Sequence, residues 1–348
     1  MHLSPLLRSR GVLAALATTV ALTATACGGD DSAPQGAANG GGSAPESITI
    51  AYQAIPNGDL VVKQKGWLEA AFPDTTIEWK RFDSGGAVNE AIAAKSVDIG
   101  LAGSSHVSRG LSQPLPYQVP WIHDVIGAAE ALAVKPGIDD IAGLKGKKIA
   151  TPLASTAHYS LLAAVEGAGL KPSDVDIIDA EPDDIYAAWE RGDIDGAYVW
   201  NPTLAKLKED GGKTLISSAE LAEQGKTTYD LAVVTNEFAE QYPEALQTWV
   251  AQQHRAVELY RSDEDAWAAA VATELDLEPA DVKAQAADLI FLNASEQLGA
   301  DYLGGGLATN LFAAAQFNKE LDQIPTVQPE SAYADAVNPA PAKAVSGT

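Results

Sequence analysis

Residues Ile149 to Tyr159 read Ile-Ala-Thr-Pro-Leu-Ala-Ser-Thr-Ala-His-Tyr. Ile149 and Ala150 close a short apolar run with the character of a buried strand, and Thr151-Pro152 ends it. Ser155 and Thr156 then offer N-cap hydroxyls to a segment with helical apolar spacing at Leu161, Leu162 and Val165. A strand that turns into a helix presents unpaired N–H groups, the positive dipole end and two hydroxyls to one point, which suits an anion. An ordinary capped turn has the same composition. Alone, the stretch leaves both readings open.

Working outward, the same pattern recurs. Ser47 to Tyr52 alternates as a first strand ending at Gln53, and Gly58 to Phe72 reads as a helix. Thr76 to Phe82 is a second strand, followed directly by Asp83-Ser84-Gly85-Gly86 opening a helix through Ala94. Asp98 to Leu101 is a third strand, and Gly103-Ser104-Ser105 opens another helix. Apolar strand material runs from Val119 to Val134. The βαβαβ order predicts an α/β fold with a doubly wound sheet, whose ligands sit at the carboxyl ends of the strands. A second αβ unit spans Asp139 to about Lys226, with strands at Lys147 to Ala150, Val175 to Ile178 and Gly196 to Trp200. Leu231 to Thr235 reads as a strand crossing back to the first unit. Helices follow at Pro243 to Tyr260, Asp263 to Leu275, Pro279 to Leu289 and Leu307 to Glu320, and the Pro/Ala-rich tail from Val327 reads as a surface loop. Two αβ lobes joined by two crossings describe a clam-shell that buries a ligand on closing. The expected division is residues 47–134 plus 228–348 for lobe 1 and 135–227 for lobe 2.

The first 26 residues stand outside that fold. Arg8 and Arg10 precede an apolar, alanine-rich run from Gly11 to Ala26, as in a secretory signal peptide. Cys27, the only cysteine of the 348 residues, follows it at once. A lone cysteine there resembles the lipidation site of bacterial lipoproteins, although Ala24 stands where a leucine is usual. Residues 27–46 then read as the lipidated cysteine and a flexible tether rich in Gly, Ala, Ser and Asp. The expected location is the outer face of the cell membrane, held by lipid only. The chain carries a net charge of −24, and without Arg8 and Arg10 its 21 basic and 47 acidic residues give −26. Such a charge argues against nucleic acid and against anionic lipid. It repels a zwitterion least.

Two further stretches carry a family resemblance. Ile149 to Tyr159 and Ala187-Ala-Trp-Glu-Arg-Gly-Asp-Ile-Asp-Gly-Ala-Tyr-Val-Trp200 resemble the taurine-binding subunits of bacterial taurine ABC importers, within the type II periplasmic-binding-protein fold. Phe82-Asp83-Ser84-Gly85, Gly103-Ser104-Ser105 and Glu130-Ala131-Leu132 are similar too, in the expected order. The resemblance runs from about Ile48 to Phe317. It implies an extracytoplasmic binding protein, a monomer with no cofactor, that delivers taurine or a related sulfonate to the permease subunits of an ABC importer. It further implies Ser84, Gly85, Ser104, Ser105, Ser155, Thr156 and His158 around the sulfonate. Gln53, Tyr159, Trp200 and Asp230 would line the rest, with Asp230 at the ammonium.

Sulfonate chemistry agrees, because an anion that never protonates needs only donors. His158 faces either the ligand or the sheet, Trp189 reads as core, and Glu130 reads as a hinge or structural residue. His106 stands where relatives often have proline, and Ala232 where a bulkier aromatic can occur. The wider pocket this implies keeps an alkanesulfonate, or a pyrimidine precursor of thiamine, as alternative ligands. Catalysis has little support: His2, His106, His123, His158 and His254 lack metal spacing, and there is no nucleophile elbow or phosphate-loop lysine.

Overall fold

Alternation of buried and exposed side chains along short β-branched segments sets the frame, and a computed structural model describes it over residues 44–347. Cys27 and the leader lie outside the described residues. The strands are β1 Ser47–Gln53, β2 Thr76–Phe82, β3 Ile99–Gly103, β4 Tyr117–Ile126 and β5 Glu130–Val134. There follow β6 Lys148–Thr151, β7 Asp176–Asp179, β8 Gly196–Trp200, β9 Lys213–Ser217, β10 Thr228–Thr235 and β11 Leu289–Ile290. Two sheets result, ordered β11-β4-β10-β3-β1-β2 and β7-β6-β8-β5-β9. In each, the parallel strands β1 to β3, or β6 to β8, are joined by antiparallel partners. The helices that matter to the site are α1 Gly58–Gln64, α2 Trp67–Ala71, α3 Gly85–Ala93, α4 Ser104–Ser112 and α5 Thr156–Gly167.

β3 is buried throughout because helices or strands cover every side of it. Its small residues make that possible: a Cβ on Gly100 would stand 2.6 Å from Val88 Cγ1 of α3. The first core gathers around Ile50, Ile99, Leu231 and Trp249, the second around Leu132, Ile149, Leu162 and Tyr198. Each such aliphatic side chain removed from water contributes about 1.5–3 kcal/mol.

The structure corrects four sequence expectations. Glu130–Val134, assigned to lobe 1, belongs to the second sheet, where β5 pairs with β8 and β9. The helix expected over Gly58 to Phe72 breaks at Gly66, which adopts the left-handed φ of 60° that a glycine tolerates. The helix from Pro279 stops at Ala286, and Leu289–Ile290 pairs with β4. The Pro/Ala-rich tail is not a loop: it forms helices Glu330–Ala336 and Ala340–Val345, and fully buries Tyr333. Its composition hid an alanine face packed on the long helix Pro243–Ser262 and on β4.

A polar cluster sits inside the first core. Asn57 caps α1 by accepting from the Asp59 N–H at 2.8 Å, and Gln253 donates to Asp59 Oδ1 at 2.7 Å. His123 Nε2 lies 3.7 Å from Asp59 Oδ2, beyond hydrogen-bond reach. Burial pushes the Asp59 carboxyl up to about 7, with Gln253 partly offsetting it, and pushes His123 down to about 3. Both groups are therefore neutral in mildly acid solution, and the contact is not an ion pair. Asp59 binds its proton more tightly folded than unfolded, so its contribution to stability is lost as pH rises from about 4 to about 7. His123 does the reverse, its contribution being lost as pH falls from about 6.5 towards 3. The Asp59→Asn variant is expected to be stabilised relative to the parent above about pH 7, on the order of a few kcal/mol. Thermal melts from about pH 5 to about pH 8 check this, and parallel curves for the two proteins would contradict it.

Candidate binding site

Three helices begin at one cavity. α3 follows β2 with Ser84 as its N-cap, α4 follows β3 with Gly103, and α5 follows β6 with Ser155. Gly85, Gly103, Ser155 and Thr156 all line the same space, which has an empty volume of about 500 Å³, part of it open to solvent. First-turn N–H groups have no partner within their own helix, so their convergence presents donors and positive dipole ends to a ligand. Glycine is required at two of these points. A Cβ on Gly85 would stand 2.8 Å from His106 Nδ1, and one on Gly103 would stand 2.9 Å from Thr156 Cγ2. The second contact joins elements of the two sheets.

The cavity is also acidic. Asp230, on β10 opposite Gly103, lines it, as does Glu130 at the start of β5. Three hydroxyls donate to Glu130: Thr156 at 2.5 Å, Ser218 at 2.6 Å and Ser160 at 3.4 Å. Burial nevertheless pushes its carboxyl up to about 7, the three hydroxyls opposing. Asp230 is pushed up to about 7 as well, by burial and then by the charge of Glu130. Among the described residues no lysine or arginine lines the cavity. Two carboxyls held this way, with no protein cation beside them, favour a cationic group on the ligand.

Apolar walls complete the enclosure. They come from Ile55 and Pro56 after β1, Ile126 and Ala129 at the first crossing between the sheets, Trp200 on β8 and Leu289 on β11. His106, third residue of α4, also lines the cavity and hydrogen-bonds the backbone of Leu153 from the second sheet's side. Its imidazole is pushed down to about 4 by burial and by Arg109, so it is neutral, and its one N–H is the one given to the Leu153 backbone.

Of the residues named from the sequence, Gln53, Gly85, Ser155, Thr156, Trp200 and Asp230 line the cavity. Gln53 has an anchored amide, its Nε2 donating to the Leu101 carbonyl at 3.0 Å. Others have different tasks. Ser84 Oγ donates to Glu181 Oε1 at 3.1 Å, tying the two sides of the cleft together. Ser104 Oγ accepts from the Tyr229 N–H at 3.2 Å, while Ser105 Oγ is buried with no hydrogen-bond partner among the described residues. His158 stands outside the lining: its Nδ1 accepts from the Ala154 N–H at 3.1 Å, and burial, with Arg109, pushes the ring down to about 4. Tyr159 packs edge-on against Phe317 with ring centroids 5.0 Å apart, in the second core.

Sequence reasoning missed His106, Asn201 and the cavity-facing position of Glu130. His106 carried a signal, since it is the third residue of a helix opened by Gly103-Ser104-Ser105. Glu130 carried a weaker one, a lone acid heading an apolar strand. Among the described residues there is no group of His, Cys, Asp or Glu able to hold a metal ion, and no helix is long and apolar enough to cross a membrane.

The sequence and the fold both have known relatives. A taurine-binding periplasmic protein of Escherichia coli (strain K12) is 35% identical over 287 residues, covering 81% of this chain and 88% of its own. The alkanesulfonate-binding protein SsuA of Xanthomonas axonopodis pv. citri, solved bound to MOPS, superposes with a TM-score of 0.71 at 24% identity. That superposition covers 83% of this chain and 98% of SsuA. An enzyme shares the fold: the desulfurization enzyme DszB superposes with a TM-score of 0.63 at 16% identity, covering 87% of this chain and 99% of its own. Residues 57–266 match the family described as NMT1/THI5 like. With a family match over more than half its length and a relative this similar across four fifths of it, the chain belongs to the NMT1/THI5-like family and has a periplasmic-binding-protein fold of the SsuA type.

Proposed function

We propose that this protein is the extracytoplasmic binding component of an ABC importer and captures taurine, or a close amino-sulfonate, in the cavity between its two sheets. The observation that carries the reading is the pairing, in one cavity, of three helix N-termini with two carboxylates, Glu130 buried and Asp230 half-buried, and, among the described residues, no lysine or arginine. A sulfonate is ionised at every physiological pH and takes only donors, which the first-turn backbone N–H groups of the three helices supply. The ammonium of the same ligand compensates Asp230 and Glu130. The small aliphatic link between them meets the apolar walls, including Ile55 and Trp200.

In this reading the two lobes close over the ligand, with Ser84–Glu181 and Gly103–Thr156 as closed-state contacts. The likeness to exported relatives supports an exported protein, and Cys27 would hold it to the membrane by lipid. A monomer would then hand the ligand to the permease. The protein performs no chemistry on it.

A thermal-shift panel tests the reading. Taurine is expected to raise the melting temperature by several degrees when present at about 100 times its dissociation constant, the equivalent of about 2.7 kcal/mol. Ethanesulfonate, lacking the amine, is expected to raise it less. A pyrimidine precursor of thiamine that stabilises while taurine does not would overturn the assignment.

A further inference from the structure

Asp124 is a buried carboxylate beside the cavity that the reading above does not use. It lies on β4, is wholly buried, and neither of its oxygens has a hydrogen-bond partner among the described residues. In the antiparallel ladder it stands opposite Asp230 of β10. Directly opposed residues in such a ladder share a face, with Cβ atoms about 4.5–5.5 Å apart. Asp230 and Glu130 line the cavity, so three acids from three strands meet at one end of it. From β10 the neighbour of Asp124 is Asp230 and from β5 Glu130, while the neutral His106 of α4 lines the same cavity as those two. The adjacent His123 is turned to Asp59 of α1 instead. Arg109, further along α4, donates to the Gln323 carbonyl at 2.8 Å. Two wholly buried carboxyls and a half-buried third, with no lysine or arginine among the described residues beside them, cannot all be ionised. Accordingly Asp124 is pushed well above the usual carboxylate range, by burial first and then by Asp230 and Glu130.

We propose that Asp124, Asp230 and Glu130 form one proton-sharing cluster, and that an ammonium-bearing ligand replaces a proton of that cluster when it binds. Asp124 is a positioning residue here, holding a proton behind the carboxylates that meet the ligand. The exchange rests on the reading that the ligand's amine sits at Asp230. The O–H bond of one carboxyl breaks, its proton leaves to solvent, and the ammonium takes the place of that charge. Affinity then rises with pH towards neutral, by about tenfold per pH unit where one full proton is released. A ligand without an amine releases none.

Calorimetry of the full chain with taurine, in buffers of different ionisation enthalpy near pH 6.5, reads the protons released. Between about one half and one proton per taurine is expected, and none for ethanesulfonate. Asp124→Asn keeps the shape of a protonated carboxyl but cannot titrate, so it should lower the release and flatten the pH profile while the protein still melts cooperatively. A direct titration needs no ligand. Carbon-13 spectra of the aspartate carboxyls should show a signal with a midpoint above about pH 6 that is lost in Asp124→Asn and unaffected by Asp59→Asn. Tight taurine binding with no proton exchange and a flat profile would overturn the exchange alone. No taurine binding at any pH would overturn the ligand reading and the exchange with it. Aspartate midpoints all below about pH 5, Asp59 aside, would overturn the cluster itself.

Discussion

Replacing Asp230 by alanine is expected to weaken taurine binding by about 2–5 kcal/mol, the usual cost of removing one partner of a buried charge pair. That is a factor of roughly 30 to several thousand in the dissociation constant. The carboxylate lines the cavity on β10, no lysine or arginine among the described residues shares the space, and burial has already raised its proton affinity. An ammonium is the group that relieves this arrangement, and without Asp230 only Glu130 is left to face it across the cavity. Ethanesulfonate offers the same anion with no amine, so its affinity should stay within about threefold, or improve as a buried negative charge disappears. Paired calorimetric titrations of the two ligands on the parent and on Asp230→Ala check the outcome. Equal losses for both would remove Asp230 from the ammonium site.

Gly103→Ala should act on closure without touching the ligand's charges. The residue sits at φ −62°, ψ 148°, which alanine adopts freely, so the backbone gives no reason for unfolding. The new methyl would instead stand 2.9 Å from Thr156 Cγ2. Thr156 cannot easily turn away, because its hydroxyl is held to Glu130 at 2.5 Å. Relief therefore comes from opening the cleft, at a cost of about 1–3 kcal/mol typical of overpacking. Affinity for taurine should fall by roughly 5- to 150-fold. Small-angle scattering with saturating taurine should show a larger radius of gyration than the parent has. A variant with parental affinity and parental dimensions would show that Gly103 and Thr156 do not meet in the bound state.

The parts of this site that could be read from the chain are those built by neighbours in sequence. Strand ends followed by Ser84-Gly85, Gly103-Ser104 and Ser155-Thr156 announce helix N-termini at strand carboxyl ends, and all three reach one cavity. What closes the site depends on long-range pairing and could not be read. Glu130 gains its meaning only when β5 joins the second sheet, bringing Ser160 and Ser218 to its oxygens. Asp124 is one acid in the apolar run of β4, and only the register with β10 sets it opposite Asp230. His158 and Tyr159 show the converse failure. Their positions in the first turn of α5 suit a ligand, but the turn's own Ala154 N–H and the Phe317 ring take them up. The tail beyond Val327 misled for a compositional reason, since proline at helix starts reads as a loop until an alanine face finds a partner.

The central claim, that one cavity captures an ammonium and a sulfonate together, is tested most directly by titrating taurine into protein freed of carried-over ligand by unfolding and refolding. The account predicts saturable binding at one site per chain, with a dissociation constant about tenfold or more below that of ethanesulfonate. Heat of dilution alone, or ethanesulfonate binding as tightly as taurine, would contradict it.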